Sequence, residues 1–448
     1  MKNDKPITSI CFLVPPFLSH LMPMIQLARA LSDYGVRIIC ACTRDFETLI
    51  RESGFEFAEI RINLNANSGS AADTKQAAEE ARRLQEFFDA TREGAVETLI
   101  TQMRHRTRDM FANPDEVLDT ISRLAEHIRP DIWVSDQLSY SVTIALEILC
   151  LPFLSFCPPH PATIPEAGAL YGVPRCWPES LLPEQKDLSR LEKAALRAEE
   201  SFDEAVNTFL LRRGLSDRLV HRFFSHTAST AVVFNYPCFE NNADSSGPLR
   251  LYLGHSFEPS ALSEEWTPFV RSNRKKIFIS FGTFLSIRED VLRRIIAVLK
   301  TAYPDALLLA AAGASAKKLG DLQGDNVRIE TFVPQKALLP YMDAVIHHGG
   351  VGTFTETLYY GKPSLVLPFS SDQFNVACDV ERMRLGAVLD PNCFKERELV
   401  ESTHAMLEGA YGPQLKHWHY KLGQTGPRMV ARRILRHVTV STILEVKE

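Results

Sequence analysis

Between Phe332 and Gln373 the chain concentrates residues suited to holding an anion. The segment runs F-V-P-Q, then A-V-I-H-H-G-G-V-G-T-F-T-E, then G-K-P-S-L-V-L-P-F-S-S-D-Q. An apolar strand, Ala344 to Ile346, enters paired histidines and three glycines, and a helical segment opens at Thr353. Glycines let the backbone approach a ligand closely, and a helix N-terminus presents unpaired N–H groups at the positive end of its dipole. Glu356 follows inside the helix, and Asp372 and Gln373 follow the next apolar strand. Phosphate, ribose and sugar, in that order, suit such a series of groups. A further histidine, His20, lies after the first apolar strand, and Asp136 lies just past another.

The elements that must position these groups alternate β and α. Thr8–Val14 reads as a buried strand ended by Pro15 and Pro16, Met22–Tyr34 as a helix stopped by Gly35, and Val36–Ala41 as a strand. A β-α-β opening implies parallel pairing. Asp131–Val134 and Pro152–Phe156 add strands, with Val142–Leu149 as the helix between them. Two polar excursions interrupt this frame: Ala71–Ile128, charged and mostly helical, and Pro161–Leu215, Pro-rich and then helical. Both read as insertions rather than separate domains. Periodicity lapses over Leu249–Trp266, which marks a domain boundary, and alternation then resumes. The later strands are 276–280, 306–311, 327–332, 344–347, 364–367 and 387–389, and a last helix spans Pro427–Val438. Two α/β halves place a ligand in the cleft between them.

Length supports two domains, since 448 residues exceed one ordinary core. A charged fraction of 23% and a net charge of −5 argue against nucleic acid. The nine cysteines are odd in number and lack C-x-x-C, which reads as a reduced, cytoplasmic pattern. No apolar run is long enough to span a bilayer, which leaves peripheral membrane association open.

The Phe332–Gln373 box resembles the nucleotide-sugar signature of glycosyltransferases acting on small molecules, namely the plant secondary-metabolite, bacterial antibiotic and carotenoid types. The resemblance runs from Ile10 to the last helix and implies the GT-B fold: α/β, with two facing Rossmann-like domains built on parallel sheets. On that footing 1–250 is the acceptor-binding domain, 251–426 the nucleotide-sugar-binding domain, and 427–448 carries a helix that packs back on the first. Phe332 would lie against the base, where plant members have Trp, framed by Val333 and Gln335. His348 and the amides of Gly350 to Thr353 would hold the diphosphate. Gly352-Thr353 replaces the Asn-Ser of plant members, in the bacterial style. Glu356 would take the ribose hydroxyls, and Asp372 and Gln373 the hydroxyls of the hexose. Ser280-Phe281-Gly282-Thr283 resembles the family's second phosphate loop. Pro15-Pro16-Phe17-Leu18-Ser19-His20 resembles the catalytic-histidine loop of carotenoid-type members, with Ser19 where most members have Gly, and Asp136 matches the histidine's aspartate.

The chemistry is consistent with those assignments. A histidine can take the proton of an acceptor hydroxyl at neutral pH, and a carboxylate on its other nitrogen stabilises the imidazolium and fixes the tautomer. Asp131 is a rival partner, but it precedes its strand, where a turn residue belongs. The sequence holds no D-x-D metal motif, so the helix N-terminus, the glycine amides and His348 must stabilise the leaving diphosphate, with no metal and no cofactor beyond a UDP-sugar co-substrate. Several residues also have purely structural readings. Thr353-x-x-Glu356 is a capping box, Asp372-Gln373 is a helix cap, and His347 and His160 are strand-end and turn residues. Phe87, Phe88 and Phe111 are candidate walls of an acceptor pocket. The expected activity is inverting transfer of a hexose, most simply glucose from UDP-glucose, to a hydroxyl of an apolar natural product such as a polyketide or macrolide, phenolic, terpenoid or carotenoid. A sugar-nucleotide epimerase on the same fold is the alternative. A dinucleotide oxidoreductase would need G-x-G-x-x-G after the first strand, where P-P-F-L-S-H stands.

Overall fold

The computed structural model describes residues 6–63, 78–240 and 247–438. Its strands form two fully parallel sheets. The first contains β1 (Ser9–Leu13), β2 (Arg37–Cys42), β3 (Glu56–Glu59), β4 (Ile132–Asp136), β5 (Phe153–Cys157), β6 (Ala231–Phe234) and β7 (Leu249–Tyr252), in the order β3-β2-β1-β4-β5-β6-β7. The second contains β8 (Lys276–Ser280), β9 (Leu307–Ala311), β10 (Val327–Glu330), β11 (Ala344–His347), β12 (Ser364–Val366) and β13 (Gly386–Val388), in the order β10-β9-β8-β11-β12-β13. The central strands are buried on both faces, so they read as unbroken apolar runs rather than alternating ones.

Each sheet reverses its winding beside its first strand. The reversal lies between β1 and β4 in one sheet and between β8 and β11 in the other, and the carboxyl ends of the strands open a crevice at such a point. β3, β6 and β7 were not anticipated. β3 is half exposed and polar, and β7 falls within the segment read as a boundary, where it pairs with β6. The helix after β1 begins at Leu18, four residues before the expected Met22, which puts His20 in its first turn.

The helices Ala78–Glu93 and Ala95–Met110 of the first insertion reach the second domain. Phe87 and Phe88 pack on Phe284, with ring centroids 5.5 and 5.1 Å apart. The buried Arg288 donates to the Thr91 carbonyl at 2.8 Å. The last helix, Pro427–His437, buries Val430, Ala431 and Ile434 in the core cluster that contains Ile10, Phe12 and Leu27. This helix therefore packs against the first domain.

One covalent feature departs from the reduced pattern read from the cysteines. Cys176, in the second insertion, forms a disulfide with Cys378, in the helix Gln373–Arg382 of the second domain, 202 positions away. The bond sits among other cross-domain contacts. The Arg175 amide donates to Asn375 Oδ1 at 2.9 Å, and the Trp177 ring packs on Phe374 at 5.3 Å.

Candidate active site

His20 and Asp136 meet at the first reversal point because they follow neighbouring strands. His20 Nδ1 lies 2.8 Å from Asp136 Oδ2, with His20 16% exposed and Asp136 fully buried. Asp136 Oδ1 accepts the Leu138 amide at 2.9 Å, which fixes the carboxylate plane. The proton shared with that carboxylate belongs on Nδ1, so Nε2 is the ring nitrogen left for the cavity that His20 lines. The rival carboxylate is elsewhere. Asp131 Oδ2 accepts from the amides and hydroxyls of Thr8 and Ser9 and ties the start of β1 to the start of β4.

The glycine loops after β8 and β11 meet at the second reversal point. The helix after β11 spans Val351–Tyr359 with Gly350 at its N-cap, so it opens two residues before Thr353. This overturns the capping box. Thr353 and Glu356 are the third and sixth helical residues, and Glu356 is too far along to close on the cap amide. Its buried carboxylate instead accepts Gln335 Nε2 at 2.6 Å, and Gln335 lies 3.5 Å from Thr353 Oγ1. Burial raises the Glu356 pKa, against the pull of Lys336 and Gln335. The early start leaves the amides of Val351, Gly352 and Thr353 without intrahelical acceptors.

His348 sits between two glycines of these loops. A Cβ on Gly350 would come within 2.5 Å of its Nε2, and one on Gly282, at φ +67°, within 3.0 Å of its Cε1. Burial pushes the His348 pKa down to about 4, so the ring offers an N–H rather than a charge. His347 is fully buried, with its pKa pushed down to about 3, and its Nδ1 accepts the Gly349 amide at 3.1 Å, a structural role. Ser280 Oγ accepts the Gly282 amide at 3.3 Å, which shapes the second loop; the Thr283 side chain lies outside the described residues. Val333 is buried, whereas Phe332 is 80% exposed, a large apolar ring open to a planar partner.

Asp372 and Gln373 behave differently from each other. Asp372 stands at the N-cap position of its helix but makes no cap bond; its Oδ2 accepts the His160 amide at 2.9 Å across the domains. Gln373 Oε1 accepts the amides of Phe369 and Ser370, and its Nε2 donates to Ser370 Oγ, so its carboxamide holds the loop that presents Asp372 and keeps one N–H in reserve.

The two domains enclose a cavity of about 520 Å³ that both His20 and Asp372 line. Phe87 and Phe284 line it as well, whereas Phe88 is buried beside them and Phe111 belongs to the first domain's core. Phe332, Gln335, His348 and Glu356 lie outside this cavity. Sequence reasoning missed the residues that hold the cleft shut. Gln102 exchanges two hydrogen bonds with Ser371, at 2.8 and 3.0 Å. His160 Nδ1 accepts the Ala162 amide, which places the other ring proton on Nε2, 3.0 Å from Asp379 Oδ2. The Tyr236 hydroxyl donates to the same oxygen at 3.0 Å. No local motif marks these pairs, because every one joins distant parts of the chain.

Known proteins are similar to this chain in sequence and in fold. Residues 300–416 match the domain described as erythromycin biosynthesis protein CIII-like, C-terminal domain. The chain is 23% identical to 4'-demethylrebeccamycin synthase of Lentzea aerocolonigenes, over 87% of this chain and 89% of that one. It is 24% identical to zeaxanthin glucosyltransferase of Pantoea ananas, over 82% and 80%. The fold matches the solved structure of the glycotransferase of kitacinnamycin with a TM-score of 0.69 at 19% identity, covering 97% of this chain and 99% of that one. The chain has the GT-B fold and is similar in sequence to small-molecule glycosyltransferases. It is an enzyme that takes its sugar from a nucleotide sugar. The epimerase alternative finds no support among these relatives.

Proposed function

We propose that this enzyme is an inverting glucosyltransferase that carries glucose from UDP-glucose to a hydroxyl of a largely apolar natural product. The observation that carries this reading is the His20–Asp136 pair on the wall of a cavity that Asp372 also lines. His20 Nε2 takes the acceptor's hydroxyl proton as the oxygen forms its bond to the sugar's anomeric carbon. The bond from that carbon to the diphosphate oxygen breaks, and UDP leaves with the electron pair. Asp136 stabilises the imidazolium through Nδ1–H. His348, the first amides of the helix Val351–Tyr359 and the Ser280–Thr283 loop receive the charge that develops on the diphosphate. Phe332 stacks on uracil, framed by Val333 and Gln335, and Glu356, steadied by Gln335, accepts from the ribose hydroxyls. Asp372 and the remaining Gln373 N–H take hydroxyls of the hexose, which favours a sugar with those hydroxyls in place over a deoxyaminosugar. Direct displacement requires no sugar–enzyme intermediate, and the leaving group is stabilised by residues of the chain itself.

The reading is tested by measuring transfer from UDP-glucose, dTDP-glucose and a dTDP-deoxyaminosugar to a panel of hydroxylated polyketides, phenolics, terpenoids and carotenoids. UDP-glucose is expected to give the highest kcat/KM. Equal or faster turnover with the deoxyaminosugar would refute the donor assignment.

A further inference from the structure

The cavity is apolar along one wall and charged along the other. Leu84, Phe87, Met110, Leu138, Val173 and Phe284 form the apolar side. The charged side is one face of the helix Ala95–Met110, which presents Gln102, His105, Arg106 and Asp109 in successive turns. Most of these groups already have partners. Asp109 is paired with Arg83 at 2.7 Å, His105 lies 3.6 Å from Glu86, and Gln102 is bound to Ser371. Arg106 differs. Among the described residues no carboxylate stands within ion-pair distance of it, and its guanidinium lies 5.8 Å from the ring centroid of Tyr171, another cavity wall. Tyr171 is itself immobilised, stacked on Phe224 at 4.1 Å with its hydroxyl donating to Met110 Sδ.

We infer that the acceptor is an amphiphilic acid: an apolar body with a carboxylate that Arg106 receives, and a hydroxyl that reaches His20. This rests on the glycosyl-transfer reading and narrows its acceptor class. A guanidinium backed by an aromatic wall offers a planar fork of N–H donors that matches a carboxylate bidentately. Asp372 also lines the cavity, and Asp136 is buried behind His20, so the surroundings of the base are negative and disfavour an anion there. A hydroxy acid is therefore favoured with its acid on Arg106 and its hydroxyl at the base. The size of the cavity suits a ligand of drug-like dimensions.

The test uses 6-hydroxy-2-naphthoate and its methyl ester as probes, with calorimetric binding in the presence of UDP and transfer from UDP-glucose followed by mass spectrometry. The wild type is expected to bind the acid roughly tenfold more tightly than the ester, a difference that shrinks with added salt. Arg106→Gln is expected to weaken the acid by about that factor and leave the ester unchanged, and Arg106→Lys to retain part of the preference. Thermal melting of each variant separates these effects from misfolding, which the half-exposed position of Arg106 makes easy to avoid. Equal affinity for acid and ester, equal losses for both in Arg106→Gln, or no binding of either probe would overturn the proposal. If the acid binds through Arg106 and no sugar is transferred from any donor, the carboxylate site at Arg106 stands and the glycosyl-transfer reading falls.

Discussion

His20→Ala is expected to lower kcat by about 10³-fold while UDP-glucose affinity stays within about twofold of wild type. The first effect follows from the geometry of the pair. The ring nitrogen bound to Asp136 is Nδ1, so removing the imidazole deletes the group facing the acceptor and leaves behind a buried carboxylate with only the Leu138 amide to satisfy it. The second follows from the separation of tasks. The residues read as gripping the nucleotide, Phe332, Gln335, His348 and Glu356, belong to the other domain and share no hydrogen bond with His20. A parallel loss of donor affinity would show that the histidine contributes to binding rather than to proton transfer. A variant that keeps most of its kcat would place the base elsewhere. Rates by mass-detected product formation and affinities by calorimetry, on the same preparations, separate these outcomes.

Reduction of the Cys176–Cys378 bond is expected to destabilise the protein by about 5 kcal/mol in the chain-entropy account, because the bond closes a very long loop between residues 202 apart. The effect should appear as a fall of several degrees in the melting temperature on adding a thiol reductant. Cys176→Ser should melt at the temperature of the reduced wild type and show no further response to reductant. Cys176 is half exposed, so the reagent can reach the bond without global unfolding. Peptide mapping without reductant should recover the two cysteines in one linked species. Absence of that species, or identical melting with and without reductant, would mean that the link contributes nothing in solution. The bond joins the insertion to the helix that begins at Gln373, directly after Asp372, so its loss should also loosen the donor-sugar end of the cleft.

What could be read from the residues follows the range of the interactions concerned. The strand–glycine–helix architecture of the Phe332–Gln373 segment was legible because its logic is local: a strand, glycines, a helix start and a carboxylate one after another. Even there, the register of the helix start was misplaced by two residues. Gly350 rather than a Thr353 side chain caps it, and a glycine cap leaves no side-chain signature. The His20–Asp136 pair was legible because both residues follow apolar strands and parallel topology brings such ends together. β3 was missed because its polar, half-exposed residues carry no buried-strand pattern, and β7 because Gly, Pro and Ser follow it closely. The clasp formed by Gln102, His160, Tyr236, Asp379 and Arg288 was illegible for a physical reason: each partner is ordinary in its own segment and acquires meaning only when the domains meet. The disulfide escaped notice in the same way, since a bond between residues 202 apart obeys no local spacing rule. Gln373 has a second task that its position did not announce: its carboxamide shapes the loop that carries Asp372.

The central claim is a single displacement at the anomeric carbon by a hydroxyl that His20 deprotonates. The most direct test is the anomeric configuration of the product formed from UDP-α-glucose, read from the proton coupling at the sugar's first carbon by nuclear magnetic resonance. A β-glucoside is the predicted product, while an α-glucoside would contradict the account, since retention requires either a second displacement or a front-face mechanism in which His20 has no such role.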